Sequence, residues 1–88
     1  MAWTIELEAP AEKQLGKLDR PIAKRITTFL HGLGERGNPR REGAPLKGKL
    51  AGYWKFRVGD YRVIAILKDE VLRIVVVKVG HRRDVYKR

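Results

Sequence analysis

The sequence predicts an α+β fold: an N-terminal strand, a two-helix hairpin, a three-stranded antiparallel meander that completes one sheet, and a short C-terminal tail or helix. Three observations carry that prediction. Apolar and polar residues alternate over residues 3–7, the period of a strand with one buried face, and the stretch from Tyr53 interleaves strand-forming apolar residues with Lys55, Arg57 and Arg62. Between them, residues 9–33 hold apolar side chains at helical spacing, broken once at Asp19-Arg20-Pro21. Gly59-Asp60 then lies between two strand-forming runs, with glycine at the first central position of a type II′ turn.

In chain order, Trp3, Ile5 and Leu7 face one way and Thr4 and Glu6 the other, which makes a short first strand. Pro10 suits a first helical turn, Glu12 complements the helix N-terminus, and Ala11, Leu15 and Leu18 line a brief helix. Asp19 is placed to cap a longer second helix, with Pro21 in its first turn, a stripe of Ile22, Ile26, Phe29, Leu30 and Leu33, and Gly34 as its C-terminal cap. So short a connection packs the two helices as a hairpin on one sheet face. Residues 37–52, rich in Gly, Pro and charge, read as a mobile basic loop anchored by Leu46 and Leu50, with Arg40, Arg41, Lys47 and Lys49 in solvent.

A turn at Gly59 sets a register in which Val58 faces Tyr61, Arg57 faces Arg62, Phe56 faces Val63, Lys55 faces Ile64 and Trp54 faces Ala65. Trp54, Phe56, Val58, Tyr61, Val63, Ala65 and Leu67 then share the core face, and Tyr53, Lys55, Arg57, Arg62, Ile64, Ile66 and Lys68 share the other. Arg57 opposite Arg62 costs stability unless an anion sits between them. A second turn near Asp69 and Glu70 leads into an apolar strand over residues 71–79.

With 88 residues, a split chain would leave neither half a core, so a single domain over residues 1–88 is expected. Twenty Lys and Arg against ten Asp and Glu give a net charge of +10, which favours nucleic acid, an acidic protein or an anionic membrane as partner. Glu6 and Glu8 interrupt the first segment and no long apolar run follows, so a soluble, cytoplasmic protein is expected rather than a membrane-bound one. The chain has no cysteine, and its two histidines, His31 and His81, make a poor zinc set. Neither a cofactor nor a metal is expected.

At PLKGKL, YWKFRVGDYRVI and the terminal VGHRRDVY the sequence resembles the RelE/ParE superfamily of bacterial and archaeal toxins, over nearly the whole chain. That resemblance implies a ribosome-dependent endoribonuclease that cleaves mRNA in the A site of the 70S ribosome and is held inactive in a heterocomplex with a RelB-like antitoxin. It further implies catalytic roles for two basic residues of the second strand, an Arg just after the turn, an Arg after the last strand and a Tyr near the C-terminus. The matching positions are Lys55, Arg57, Arg62, Arg82 and Tyr86; the family often has lysine where this chain has Arg57.

RNA cleavage through the 2′-hydroxyl needs a base, stabilisation of charge on the phosphorane and a proton for the departing 5′-oxygen. Arg57, Arg62 and Arg82 suit charge stabilisation through paired N–H groups. A lysine base must lose its proton near neutrality, roughly three units below its usual ~10.4, and neighbouring arginines supply repulsion of the right sign. Lys55 is therefore the preferred base, with His81 its rival because an imidazole ordinarily titrates near ~6.5. Tyr86 suits stacking on a base, while Lys47, Lys49 and Arg83 suit contacts along the RNA backbone.

Plainer readings stand beside these. Lys55 and Arg57 also fit solvated side chains on an open sheet face, and Tyr86 fits a residue that docks the tail. Ile64, Ile66 and Val75 form an apolar strip that either the tail or an acidic amphipathic antitoxin segment would cover. Two other functions compete: the ParE-like branch, whose members inhibit DNA gyrase by protein contact and generally lack the cationic cluster and terminal tyrosine, and a basic RNA-binding domain without catalysis.

Overall fold

The computed structural model describes residues 2–85. Its elements run β1 (Thr4–Leu7), α1 (Ala9–Gly16), α2 (Arg20–Glu35), β2 (Gly43–Pro45), β3 (Trp54–Val58), β4 (Tyr61–Lys68) and β5 (Arg73–His81). Five strands form one mixed sheet in the order β1-β5-β4-β3-β2, with β1 parallel to β5 and every other pair antiparallel. The α+β class, the helix hairpin and the meander are as the sequence predicts.

Both helices start at a proline in the first turn, where a missing N–H costs nothing. They cover one face of the sheet. Ala11, Ile26, Leu30 and Leu33 from the helices meet Phe56, Val58, Val63, Ala65, Ile74, Val76 and Val79 from the strands in one buried cluster. Phe29 closes it against Phe56, with ring centroids 6.3 Å apart and the planes tilted by 55°.

Four expectations need correction. Gly34 does not cap α2: the helix continues to Glu35, and Gly37 takes the left-handed turn at φ +82°. Gly34 serves close approach instead. A Cβ there would lie 2.6 Å from the Trp3 carbonyl oxygen, and the Trp3 N–H donates to the Gly34 carbonyl at 2.6 Å, which ties the lead-in of β1 to α2. Asp19 occupies the N-cap of α2 but makes no side-chain capping bond.

The stretch predicted as a mobile arm carries β2 and two 3-10 turns, Pro39–Glu42 and Gly48–Leu50. Leu50 is 40% exposed, too open for an anchor, while Leu46 is half-buried and Pro39 is fully buried. The real anchor is polar: Arg40 meets Asp69 through two N–H···O bonds of 2.9 and 2.7 Å and lies over the Trp54 ring at 5.6 Å. The last strand begins two residues later than predicted, since Val71 ends a 3-10 turn and Leu72 takes a left-handed conformation.

A candidate active site on the open sheet face

The turn at Gly59 has φ +61° and Asp60 is not left-handed, which matches the type II′ geometry. The register that follows is the predicted one, pair for pair from Val58↔Tyr61 to Trp54↔Ala65. With a two-residue hairpin, Val58 and Tyr61 form a hydrogen-bonded pair, so Arg57↔Arg62 and Lys55↔Ile64 fall in the closely spaced positions, roughly 4.5 Å between Cα atoms. The face away from the helices therefore carries Lys55, Arg57 and Arg62 side by side.

β5 extends these rows across the sheet. Arg62 faces Gly80 and Ile64 faces Lys78, so one row reads Arg57, Arg62, Gly80 and the next Lys55, Ile64, Lys78. A β-bulge lies between them and the rest of the strand: Ile64 pairs with Lys78 but Ala65 pairs with Val76, leaving Val77 as the extra residue. That residue flips the alternation. Ile74, Val76 and Val79 all point into the helix-side core, a step of three where a regular strand would step by two.

Beyond the bulge the flip decides which tail residues join the cationic face. His81 pairs with Tyr61 and its ring meets the Tyr61 ring edge-on at 5.5 Å, on the side of the helices. The ladder then continues by one more bond, from the Arg82 N–H to the Asp60 carbonyl at 2.8 Å. Arg82 thus follows Gly80 on the open side, beside the hairpin turn. In a regular strand the two residues would exchange places.

Of the remaining predicted residues, Arg62 is partly committed, since its Nη1 donates to the carbonyls of Gly59 (3.1 Å) and Tyr61 (2.9 Å). His81 Nδ1 accepts from the Arg83 N–H at 3.2 Å, which requires a lone pair on that nitrogen. The His81 carbonyl accepts from Asp84 and Val85, turning residues 82–85 back on the sheet, so a Cβ on Gly80 would lie 3.7 Å from Val85. Arg83 is exposed on that turn, and Lys47 and Lys49 are exposed between β2 and β3. Tyr86 lies outside the described residues.

The apolar strip is also present. Ile64 and Val75 are 3% exposed although neither belongs to the helix-side core, and Val85, at 2%, shows that the tail turn covers its Gly80 end. Lys78 and Gln14 escaped the sequence analysis. A lone cation in VVVKVG was the only signal for Lys78, and its facing depends on the bulge; Gln14 Oε1 accepts from the Val79 N–H at 2.7 Å, a contact 65 residues away in sequence. Among the described residues no group of three or more His, Asp and Glu could hold a metal ion, and no helix is long and apolar enough to cross a membrane.

Residues 5–86 match the family described as "ParE toxin of type II toxin-antitoxin system, parDE". The chain belongs to the RelE/ParE superfamily of type II toxins. Among the relatives of this toxin, RelG of Mycobacterium tuberculosis is 35% identical over 88 residues, covering all of both chains. Toxin RelE of the same organism is 31% identical and covers 97% of this chain and 87% of its own. The toxin also superposes on the toxin-antitoxin complex RelBE2 of M. tuberculosis with a TM-score of 0.85 and 31% identity, over 93% of this chain and all of that one. The isolated Escherichia coli RelE toxin, at 21% identity and a TM-score of 0.73 over 91% of this chain and 84% of its own, shares the fold.

Proposed function

We propose that this toxin is a ribosome-dependent endoribonuclease that cleaves mRNA in the A site and so inhibits translation in the cytoplasm. The observation that carries this reading is the Arg57↔Arg62 pair with Lys55 on the same face and Arg82 beside the turn. Such a like-charged pair is unfavourable alone and becomes favourable around a phosphate. Kinship with RelG and RelE toxins supports the RelE side of the superfamily.

Lys55 takes the proton of the ribose 2′-hydroxyl, and the resulting oxygen attacks the adjacent phosphorus. Arg57, Arg62 and Arg82 hold the non-bridging oxygens as charge builds on the phosphorane. The P–O5′ bond then breaks, leaving a 2′,3′-cyclic phosphate and a 5′-hydroxyl that takes its proton from solvent as Lys55 returns one there, with Tyr86 stacked on a flanking base. Lys55 is favoured over His81 as base because the His81 ring lies on the helix side. Lys47, Lys49 and Arg83 extend the cationic surface along the RNA. The step uses the chain's own cations and no resident metal.

The RelBE2 relative was crystallised as a toxin-antitoxin complex, and the buried strip at Ile64 and Val75 suits an amphipathic antitoxin segment that replaces the tail turn. A RelB-like antitoxin is therefore the proposed partner in a heterocomplex. The matching family is named for ParE, so gyrase inhibition is the alternative to separate. Primer extension on mRNA from cells inducing the toxin does so: breaks within translated codons, lost with Lys55→Ala and Arg62→Ala, support the nuclease, whereas intact messages with gyrase-linked DNA breaks overturn it.

A further inference from the structure

We infer that Arg25, on α2, is a further RNA-binding residue, which holds a phosphate next to the scissile one where the strand passes over the β3–β4 turn; this rests on the nuclease reading above. Arginines from three parts of the chain meet at that turn. Arg62 Nη1 donates to the Gly59 carbonyl at 3.1 Å, and the Arg82 N–H donates to the Asp60 carbonyl at 2.8 Å. Arg25 arrives from the helix layer. A Cβ on Gly59 would lie 2.9 Å from Arg25 Nη1, so the guanidinium rests against a residue with no side chain to keep it off. By standard bond lengths, the Arg25 and Arg62 Nη1 atoms are at most about 10 Å apart across the tip.

The sequence places Arg25 there because it follows Ile22 by three positions, at the margin of the apolar stripe of α2, and its stem leans toward the sheet. No carboxylate neutralises it. Arg36, Arg40 and Arg73 are paired with Glu42, Asp69 and Glu6, whereas the exposed Arg25 side chain forms no ion pair or hydrogen bond among the described residues. Asp60 lines the same hollow without pairing with it. Two cations at a fixed spacing across a turn suit consecutive phosphates of one strand. Because Arg25 lies off the open face, it contacts the strand equally before and during the reaction, and so contributes to binding rather than to kcat.

The test measures binding to ribosomes carrying an mRNA whose cleavage-site 2′-hydroxyl is replaced by hydrogen, and cleavage of the normal message in parallel. Each message carries either natural phosphates or one neutral methylphosphonate on one side of the scissile phosphate or the other. Arg25→Gln keeps a polar stem and removes the charge, and Lys24→Gln removes an equal charge from the next residue of α2. Arg25→Gln is expected to weaken binding about three- to ten-fold at low salt, to raise KM in step and to leave kcat within about two-fold. Its log–log salt slope should fall by ~0.7, the loss of one single-strand phosphate contact. One of the two methylphosphonates should weaken the parent and Lys24→Gln alike but leave Arg25→Gln no weaker than it already is.

Parent-like binding by Arg25→Gln overturns the assignment. So does a loss that adds to both methylphosphonates, which would put the contact on ribosomal RNA, and so does the same pattern in Lys24→Gln, which would mean a general field. If the parent binds but does not cleave, the nuclease reading falls and the methylphosphonate comparison still decides Arg25. If the parent does not bind programmed ribosomes, both fall.

Discussion

Arg57 stands directly across the β3–β4 hairpin from Arg62, in the closely spaced kind of antiparallel pair. Arg57 is exposed and Arg62 half-buried, so the pair faces solvent on a sheet otherwise built for close packing. The fold tolerates this repulsion at the position where the proposed chemistry needs it.

Replacing Arg57 by Glu should therefore stabilise the protein while abolishing cleavage. A like-charge pair costs about 0.2–1 kcal/mol, which at this chain length corresponds to a rise in melting temperature of roughly 1–8 °C. Calorimetry at low salt checks it. The gain should shrink in high salt, where screening already relieves the parent.

Arg82 and His81 should separate sharply. Arg82→Ala removes a donor from the open face and is expected to lower kcat on programmed ribosomes by roughly 10²–10³. His81→Ala disturbs the turn that its Nδ1 organises through Arg83, and should cost about ten-fold or less. Equal losses from both would show that the bulge does not set the facing of the tail.

Two glycine substitutions should have opposite signs. Gly34→Ala gains helix propensity but drives a Cβ to within 2.6 Å of the Trp3 carbonyl oxygen, in a residue whose own N–H is tied to α2, so the urea midpoint should fall, with a net loss of about 1–3 kcal/mol. Gly16→Ala meets nothing within 4 Å at the end of α1 and should stabilise by about 0.4–1 kcal/mol.

The Arg40–Asp69 contact gives the chain a local acid sensitivity. The Arg40 side chain, hydrogen-bonded to Asp69, holds that carboxyl below its ordinary value. A depressed carboxylate pKa contributes stability that is present above about pH 4, the usual unfolded value, and is lost as the pH falls through the lower folded value. The protection factors of the Arg41 and Ala44 amides, taken relative to the intrinsic exchange rate at each pH, should therefore fall on acidification below that pH. Asp69→Asn should show the faster exchange already at neutral pH, with little change in overall melting because the pair is solvent-screened.

Much of the site was legible because a two-residue glycine turn fixes strand register without reference to the rest of the fold. Lys55, Arg57 and Arg62 follow from Gly59 by counting. The far strand was less legible: VVVKVG contains no residue that announces a bulge, and its inward triplet of Ile74, Val76 and Val79 emerges only from packing against the helices. Gly34 misled for a related reason, since a helical glycine near a C-terminus looks like a cap until the neighbouring strand is known. β2 was hidden by composition, as Gly43-Ala44-Pro45 has no strand propensity and pairs because the glycine lets it pass close to Phe56.

That unpromising tripeptide also forms the rim of the sheet. It is three residues long and ends in a proline with no N–H to donate. A second molecule seeking to add a strand alongside it would find too few bonding groups in line to hold on. A small, highly cationic chain is in this way denied the simplest route to stacking edge to edge into fibres.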